Sequence, residues 1–355
     1  VNDAFDTVLL VVASPNRPDY LKKTLSTVLK YHPRNSIPIL ISEDGSSPQV
    51  QSVISDIRQK FRGQSHASIP FVHVHNPSAG LRAENGYFAL SRHFKWALGK
   101  AFSGDWMDSS KEIHAKRIII LEEDLEIAPD FFDLFTALTP LLESDPNLLT
   151  ISAWNDNGLS KFVADEKQVY RSDFFPGLGW MMTRNLWEEW GPKWPDAYWD
   201  DWIREPPQRR GRHILRPEVC RTFHFGKNGV SKQQFHVFID DIKLNTVPVD
   251  FSLLDLGYLE EKEWDETYMR KIKNARRINP TNFRAGDYAP YTELRVEYDS
   301  LTDGLSSFPV IARRFGIMDN IKAGVPRTAY KGIVSFWYNQ VLKIHIVPTQ
   351  LMSAI

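Results

Sequence analysis

Apolar residues in the first third of the chain fall into short runs that alternate with longer segments of mixed polarity. The runs have the length of buried strands, which we predict over residues 7–13, 37–42, 71–74 and 116–121. Between the first two runs, Leu21, Leu25, Val28 and Leu29 recur at helical spacing. Two further helices are predicted over 49–61 and 87–102. This alternation predicts an α/β fold with a mostly parallel sheet covered by helices.

The pattern changes after residue 150. Residues 151–226 are rich in Trp, Pro, Gly and charged residues, which predicts long ordered loops that bind a substrate. Beyond them we predict a helix over 258–278, a strand over 293–298, a helix over 306–315, and a terminal hairpin over 333–338 and 341–347. The expected organisation is a main domain over 1–225, a linker with a closing loop over 226–256, and a smaller C-terminal α/β domain over 257–355.

Composition narrows the classes of function. The chain has 355 residues, 42% of them hydrophobic, and a formal net charge of −1 at pH 7. This charge balance argues against a nucleic-acid partner held by general electrostatics. No apolar run reaches the roughly 18–20 residues of a membrane span, so we expect membrane attachment only through an anchor absent from this chain. A single cysteine, Cys220, excludes an internal disulfide and by itself favours a reducing compartment.

Charged residues directly follow three of the predicted strands: Arg17, Asp44 and the cluster Glu122, Glu123 and Asp124. Ligands of parallel sheets bind beyond the carboxyl ends of the strands, so these side chains are candidates for one site. The acidic cluster suits a Mg²⁺ or Mn²⁺ ion that bridges a diphosphate, or else it is a solvated loop. Arg17 can hold phosphate oxygens or lie free on the surface, and Asp44 can bind a nucleotide or close a turn with its neighbouring glycine.

Other candidates lie further along the chain. Asp200 and Asp201 stand between two tryptophans, where one carboxylate can act as a base beside a sugar-binding surface or cap a helix. Ser231 follows two glycines in a loop that can close over a diphosphate or simply be mobile. His93 lies on the apolar face of its helix, so a hydrogen-bonded core histidine is its default role.

Longer segments resemble the N-acetylglucosaminyltransferase I family. The resemblance covers nearly the whole chain and is carried by EEDLEIAPDFF at 122–132, SAWNDNG at 152–158, FPGLGW at 175–180, PKWP at 192–195, WDDW at 199–202, the run 221–231, GVPR at 324–327 and YKGIV at 330–334. It implies a GT-A fold and an inverting, Mn²⁺-dependent transfer of N-acetylglucosamine (GlcNAc) from UDP-GlcNAc. The implied acceptor is the α1,3-arm mannose of a five-mannose N-glycan on a glycoprotein, extended in β1,2 linkage.

The resemblance also implies a role for each matching residue. Asp200 matches the catalytic base, Asp124 the metal ligand, Glu122 the sugar contact and Glu123 the nucleotide contact. Donor-binding positions are matched by Arg17, Asp44, His93 and Ser231. The implied location is the Golgi lumen, with a native type II membrane protein.

Two departures from the family pattern stand out. Glu123 occupies a position that is usually aspartate, which adds a methylene to the side chain. The family's disulfide positions carry no cysteine in the segments around Ser14, Gly45, Leu149 and Ile214.

Three other functions stay open at this point. One is a β1,2-GlcNAc transferase of the same family that acts on O-mannosyl glycans and shares the Glu-Glu-Asp triplet. The others are a catalytically silent glycan-binding protein of the same fold and a metal-dependent hydrolase. Retention of both Asp124 and Asp200 disfavours the silent binder, because binding alone needs no base.

Overall fold

The computed structural model describes residues 5–33, 36–63, 69–77, 85–106, 114–227, 236–288, 291–300 and 306–354. The chain divides into two compact units that exchange segments along the sequence. The first unit contains Val1–Phe135, Gly177–Ile203 and Arg221–Gln234, and the second contains Thr136–Pro176, Arg204–Cys220 and Phe235–Ile355. The domain boundaries expected from the sequence stay a prediction.

Strands and helices of the described residues are numbered in chain order. The strands are β1 Thr7–Ala13, β2 Ile39–Glu43, β3 Phe71–His75, β4 Arg117–Glu122, β5 Leu125–Ile127, β6 Leu148–Ser152, β7 Val169–Ser172, β8 Trp180–Thr183, β9 His213–Pro217, β10 Thr222–His224, β11 Arg276–Arg277, β12 Glu293–Tyr298, β13 Ile321–Lys322, β14 Val325–Pro326, β15 Val334–Tyr338 and β16 Leu342–Pro348. The helices are α1 Pro18–Tyr31, α2 Pro48–Gly63, α3 Gly86–Ser103, α4 Phe131–Ser144, α5 Arg184–Trp190, α6 Trp199–Arg204, α7 Pro206–Arg209, α8 His236–Ile239, α9 Glu261–Asn274, α10 Phe308–Phe315 and α11 Thr349–Ala354.

The first unit is built on a mostly parallel sheet. Its strands lie in the order β3-β2-β1-β4-β8, with the first four parallel and β8 antiparallel to β4. Residues 8–13 of β1 and 118–121 of β4 are buried along their whole length, as expected for central parallel strands. The predicted strands and helices of this region are confirmed, with ends that differ by one or two residues. Because these strands are parallel, their carboxyl ends meet at one edge of the sheet.

A small antiparallel pair extends that edge. Strand β5 pairs with β10, so that Leu125 faces His224 and Ile127 faces Thr222. The pattern of apolar residues did not predict this pair, since each strand has only three residues. Its consequence is that the segment after residue 220 returns to the end of β4, where the acidic cluster lies.

The described residues of the second unit contain three groups of paired strands, the smallest of which is the antiparallel pair β13 and β14. In the first group, β9 lies between a parallel β6 and an antiparallel β7. The second group is a sheet in the order β11-β12-β16-β15, in which β15 and β16 pair antiparallel. The predicted terminal hairpin is therefore confirmed, as are strand β12 and helix α10.

The interpretation of residues 151–226 as long loops is wrong. This region contains β7 to β10 and three helices, and most of its residues are buried. Strands of three to five residues separated by Pro and Gly are too short to produce a clear alternation of apolar and polar positions. Among the described residues, no helix is both long and apolar enough to cross a bilayer.

Candidate functional site

The acidic cluster lies in the two-residue turn between β4 and β5. Glu122 ends β4, and Glu123 and Asp124 occupy the turn before Leu125 begins β5. The hydroxyl of Thr24 on α1 donates a hydrogen bond to the backbone oxygen of Glu123 at 2.6 Å, which fixes the turn against that helix. Three carboxylates are thereby held together at the carboxyl edge of the parallel sheet.

Two nitrogen-bearing side chains, those of Arg17 and His224, face this cluster. Arg17 lies just before α1, and its Nη1 donates to Asp124 Oδ2 at 2.9 Å while its Nε lies 3.0 Å from Glu123 Oε1. The Nε2 atom of His224 on β10 is 3.3 Å from the same Asp124 oxygen. The interpretation of Arg17 as a free surface residue is therefore wrong, since it bridges two carboxylates of the cluster.

The three carboxyl groups differ in their acidity. Glu122 is partly exposed, yet the surrounding protein desolvates it and, with the charges of Asp124 and Glu123, raises its pKa well above the usual value. Burial also raises the pKa of Glu123 to about 7, with a further contribution from Asp124. Burial works in the same direction on Asp124, but the hydrogen bond and charge of His224 and the charge of Arg17 outweigh it and lower its pKa. Asp124 is thus the member of the cluster that ionises most readily.

A glycine leaves room for the Asp124 side chain. A Cβ atom built on Gly226 would lie 2.3 Å from Asp124 Oδ2, well inside van der Waals contact. The backbone N–H of Phe225 also donates to the Asp124 carbonyl at 3.1 Å. The backbone after β10 thus approaches the carboxylate so closely that a larger residue at position 226 would displace it.

Two other predicted residues lie near the end of β2. Asp44 follows β2, and its Oδ1 accepts a hydrogen bond from Asn76 Nδ2 at 2.8 Å. His93 on α3 is buried, and its Nε2 lies 2.8 Å from the hydroxyl of Ser42. Desolvation lowers the pKa of His93 to about 4, against the opposing charge of Asp44. His93 is therefore a neutral, hydrogen-bonded histidine whose ring lies near Asp44.

Asp200 lies in the first turn of α6, which begins at Trp199. The predicted alternative of a cap before Trp202 is wrong, because the helix has already begun at that point. Trp199 holds the helix by stacking on Phe94 at 4.4 Å and, with ring centroids 5.9 Å apart, on Trp180 and Trp194. The charge of Asp200 is among those that raise the pKa of Glu122. Asp200 thus contributes, after burial and the nearer charges, to the raised pKa of Glu122.

An exposed aromatic surface lies beside Asp200. Tyr198 is 46% exposed and has the unusual positive φ of 54°. Its ring stacks on Tyr87 of α3, with centroids 4.5 Å apart. A flat apolar face next to a carboxylate is a common way to bind a sugar ring.

Seven of the eight predicted site residues fall within the first unit, and their interactions connect them as two groups. Asp124, Glu122, Glu123, Arg17 and Asp200 form the first group, and Asp44 and His93 the second. Ser231 lies outside the described residues.

Residue-by-residue reasoning missed His224, Gly226, Asn76 and Tyr198. His224 and Gly226 belong to the run 221–231, which carried the family resemblance, but the resemblance assigned no role to either residue. Asn76 and Tyr198 had no signal beyond their position next to a strand end and next to Trp199.

The cluster fits a divalent metal ion. Asp124 is ionised and offers carboxylate oxygen, the donor that Mg²⁺ and Mn²⁺ prefer. The space kept by Gly226 adjoins this oxygen. Without a bound ion, the side chains of Arg17 and His224 lie against the Asp124 carboxylate.

Comparisons with known proteins identify the family of the chain. A model of the GNT-I family matches residues 1–355. A curated relative from Arabidopsis thaliana, an alpha-1,3-mannosyl-glycoprotein 2-beta-N-acetylglucosaminyltransferase, is 40% identical over 348 residues, covering 97% of this chain and 74% of the relative.

Solved structures give more distant likenesses. The mannosyltransferase PcManGT from Pyrobaculum calidifontis, in complex with GDP-Man and Mn²⁺, has 16% identity and a TM-score of 0.39 over 60% of this chain and 55% of that one. TarS from S. aureus in complex with UDP-GlcNAc has 10% identity and a TM-score of 0.41 over 75% of this chain and 66% of that one. Both are too distant to indicate a ligand of this chain. The family match and the 40% identity are decisive, and the chain belongs to the GNT-I family of N-acetylglucosaminyltransferases.

Proposed function

We propose that this chain transfers GlcNAc from UDP-GlcNAc, in β1,2 linkage, to the α1,3-arm mannose of a five-mannose N-glycan. The observation that carries the proposal is the pairing of Arg17 with Asp124 in the turn after β4, and the charge of Asp200, which contributes to the raised pKa of Glu122, supports it. Direct displacement needs both an acceptor base and a diphosphate-binding group, and we assign these roles to Asp200 on α6 and to the Asp124 and Arg17 pair. The activity of the Arabidopsis thaliana relative supports the same reaction.

The donor would lie along the carboxyl edge of the sheet. Asp44 offers an acceptor oxygen for a nucleotide N–H, with its orientation held by Asn76. Arg17 provides a positive charge for diphosphate oxygens. Glu122 would contact the transferred sugar and Glu123 the nucleotide, with Ser231 contributing from the closing loop.

Asp124 would hold the divalent ion, for which we propose Mn²⁺. When bound, such an ion offsets the negative charge that develops on the leaving diphosphate. His224 keeps the Asp124 carboxylate ionised and oriented, and Gly226 leaves it accessible.

Asp200 would act as the catalytic base. Its carboxylate removes the proton from the mannose 2-hydroxyl, and that oxygen attacks the anomeric carbon of GlcNAc. The bond between the anomeric carbon and the UDP oxygen breaks as the new bond forms, so the configuration at the carbon is inverted. The Tyr198 face would support the acceptor ring next to the base.

The central test measures UDP release from UDP-GlcNAc with Mn²⁺, with and without a five-mannose N-glycan. We expect release that requires both the glycan and the metal and yields a glycan extended by one GlcNAc. UDP release without the acceptor would identify a hydrolase instead. Turnover with an O-mannosyl peptide but not with the N-glycan would assign the protein to the alternative acceptor class, and no turnover with either would favour a silent glycan binder.

Asp200→Asn gives the first prediction. The amide cannot accept the proton, so we expect kcat to fall by at least about 100-fold, the usual contribution of a positioned base. Binding of UDP-GlcNAc, measured by calorimetry, should stay within about two-fold, because Asp200 serves the acceptor. Asp201→Asn is the matched control in the same helical turn. Near-normal turnover of Asp200→Asn would rule out this assignment of the base.

The Golgi lumen is the proposed location, since the acceptor is a glycoprotein glycan. Fluorescence microscopy of the full-length natural protein, against a Golgi marker, tests it. A cytosolic signal would contradict it.

A further inference from the structure

A second cluster of ligand-type side chains lies away from the acidic turn. Glu43, at the end of β2, and His73 and His75, on β3, have one ligand atom each within 4.8 Å of one another. The register of the sheet explains why they meet. Glu43 pairs with His75 across parallel strands, and His73 lies two residues earlier on the same face of β3.

The geometry of the three groups converges on one carboxylate oxygen. His73 Nε2 lies 2.9 Å and His75 Nδ1 3.2 Å from Glu43 Oε2. The two imidazole rings are 4.2 Å apart between centroids. The other carboxylate oxygen, Oε1, accepts a hydrogen bond from the backbone N–H of Ser47 at 2.6 Å, which orients the group.

From this convergence we propose that Glu43, His73 and His75 form a binding site for a Zn²⁺-type divalent ion. Two imidazole nitrogens and one carboxylate oxygen are a typical Zn²⁺ ligand set, with the fourth position left to water or another oxygen. The carbonyl of Gly45, 3.1 Å from His75 Nδ1, is close enough to serve that position. Mg²⁺ prefers an all-oxygen shell, so it should not compete well here.

This site is separate from the one at Asp124. Strand β1 lies between β2 and β4 in the sheet. With strand spacings of about 4.8 Å, Glu43 on β2 is on the order of 10 Å from β4, and the two histidines on β3 are about 14 Å from it. The Glu43 side chain is fully buried, whereas that of His75 is 42% exposed, so an ion can enter from solvent through His75.

A bound ion would fix the ends of β2 and β3, next to Asp44, which we propose to contact the nucleotide. Asp44 and Asn76 directly follow Glu43 and His75, and they are hydrogen-bonded to each other. The N–H of Asn76 also donates to the Glu43 carbonyl at 2.8 Å. An ion that ties β2 to β3 therefore restrains both residues, so it should raise the thermal stability of the protein by binding the folded state.

The test is a Zn²⁺ titration of the full chain after metal removal. The protein competes with a chromophoric chelator, with excess Mg²⁺ present to occupy the oxygen-rich site at Asp124. We expect one Zn²⁺ per chain and a higher Tm. In His75→Gln the affinity should fall at least about 100-fold, since even residues that only support a ligand contribute 10- to 100-fold.

Two matched histidine variants locate the ion. His114→Gln removes an exposed imidazole outside the cluster, and His224→Gln removes the imidazole next to Asp124. Both should bind Zn²⁺ as the unchanged chain does. Loss of binding in His224→Gln but not in His75→Gln would place the ion at Asp124 and overturn the proposal, and so would the absence of stoichiometric binding to the unchanged chain.

A spectroscopic measurement on the unchanged chain covers the case in which a variant fails to fold. Co²⁺ in place of Zn²⁺ should give the visible absorption of a four- or five-coordinate ion with nitrogen ligands, and added Zn²⁺ should abolish it. The weak spectrum of six-coordinate, oxygen-bound Co²⁺ would contradict the site.

Discussion

At the scale of single residues, burial decides which side chains of the site are charged. His93 and Glu123 are both buried, and burial shifts their pKa values in opposite directions, to about 4 and about 7. Both shifts favour the neutral form, because a charge is costly to bury without a partner. Asp124 is the exception. Its pKa is lowered, because the hydrogen bond and charge of His224 and the charge of Arg17 outweigh the effect of burial.

The lowered pKa of His93 predicts a pH dependence of stability. Between about 6.5 and about 4 the unfolded chain binds a proton that the folded chain does not, so stability is lost as the pH falls through this range. Urea denaturation measures the free energy of unfolding of the unchanged protein and of His93→Gln. As the pH falls through this range, the unchanged protein should lose on the order of 2 kcal/mol more than the variant. The exposed His114→Gln is the control and should follow the unchanged protein. Parallel pH curves for His93→Gln would contradict the prediction.

Gly226→Ala tests the close approach to Asp124. The added methyl would lie 2.3 Å from the carboxylate oxygen, so the carboxylate has to move. We expect the Mn²⁺ concentration for half-maximal activity to rise at least about 10-fold, as for other disturbed metal ligands. Direct Mn²⁺ binding should weaken in parallel. Gly286→Ala meets no atom within 4 Å and is the control, and an unchanged metal requirement in Gly226→Ala would argue against Asp124 as the ligand.

At the scale of elements, tryptophan packing sets the position of helix α6. Trp199 is almost fully buried against rings from α3, β8 and the segment before α6. Asp200 is the next residue, so the position of its carboxylate depends on how firmly the Trp199 ring is packed. A helix of six residues cannot hold its own geometry in water without such packing.

Trp199→Phe should therefore affect the chemical step more than donor binding. A displacement of about 1 Å at a reacting group can cost on the order of 100-fold in rate. We expect kcat to fall at least about 10-fold while the KM for UDP-GlcNAc changes by less than about 3-fold. Trp264→Phe alters a buried tryptophan of the second unit that stacks on Tyr268, and it serves as the control. Equal losses in both variants would indicate a general loss of stability rather than a displaced base.

At the scale of the molecule, each compact unit is assembled from segments that are distant in sequence. In the first unit, the segment after residue 220 is joined to the rest by Arg221, whose Nη2 lies 2.9 Å from Asp130 Oδ2 with both side chains fully buried. The Arg221 carbonyl also accepts a hydrogen bond from the N–H of Ala128 at 2.9 Å. These contacts bring His224 and Gly226 to the acidic turn.

Removing one partner of this ion pair should be costly. Arg221→Leu leaves the Asp130 carboxylate buried without its cation, and we expect the free energy of unfolding to fall by about 3–5 kcal/mol. The double variant that also carries Asp130→Leu should recover part of this loss. As a control, Lys23→Met breaks the exposed pair with Glu126, which should cost less than about 1 kcal/mol. Chemical denaturation measures all of these variants, and a small effect of Arg221→Leu would mean that solvent reaches the pair.

The second unit has apolar packing at positions where the family resemblance implies a crosslink. Leu149 and Ile214 are 2% and 0% exposed and lie on the paired strands β6 and β9. Both positions thus carry a buried apolar side chain instead of a cysteine.

The sequence by itself determined the elements with strong periodicity and the placement of charge at strand ends. Strand β1, helix α3 and the terminal hairpin were predicted because long apolar runs and regular spacing depend only on neighbouring residues. The same holds for the turn that carries Glu122, Glu123 and Asp124, because an acidic run after a buried strand can be read directly.

Only the tertiary structure decided what those residues contact. The pairing of Arg17 with Asp124, the approach of Gly226 and the meeting of Glu43 with His75 join strands and loops that are 30 to more than 100 residues apart. Such contacts depend on strand order and register, which local patterns do not encode. For the same reason the pKa values differ within the acidic turn, since burial and the nearest cation are set by the folded chain.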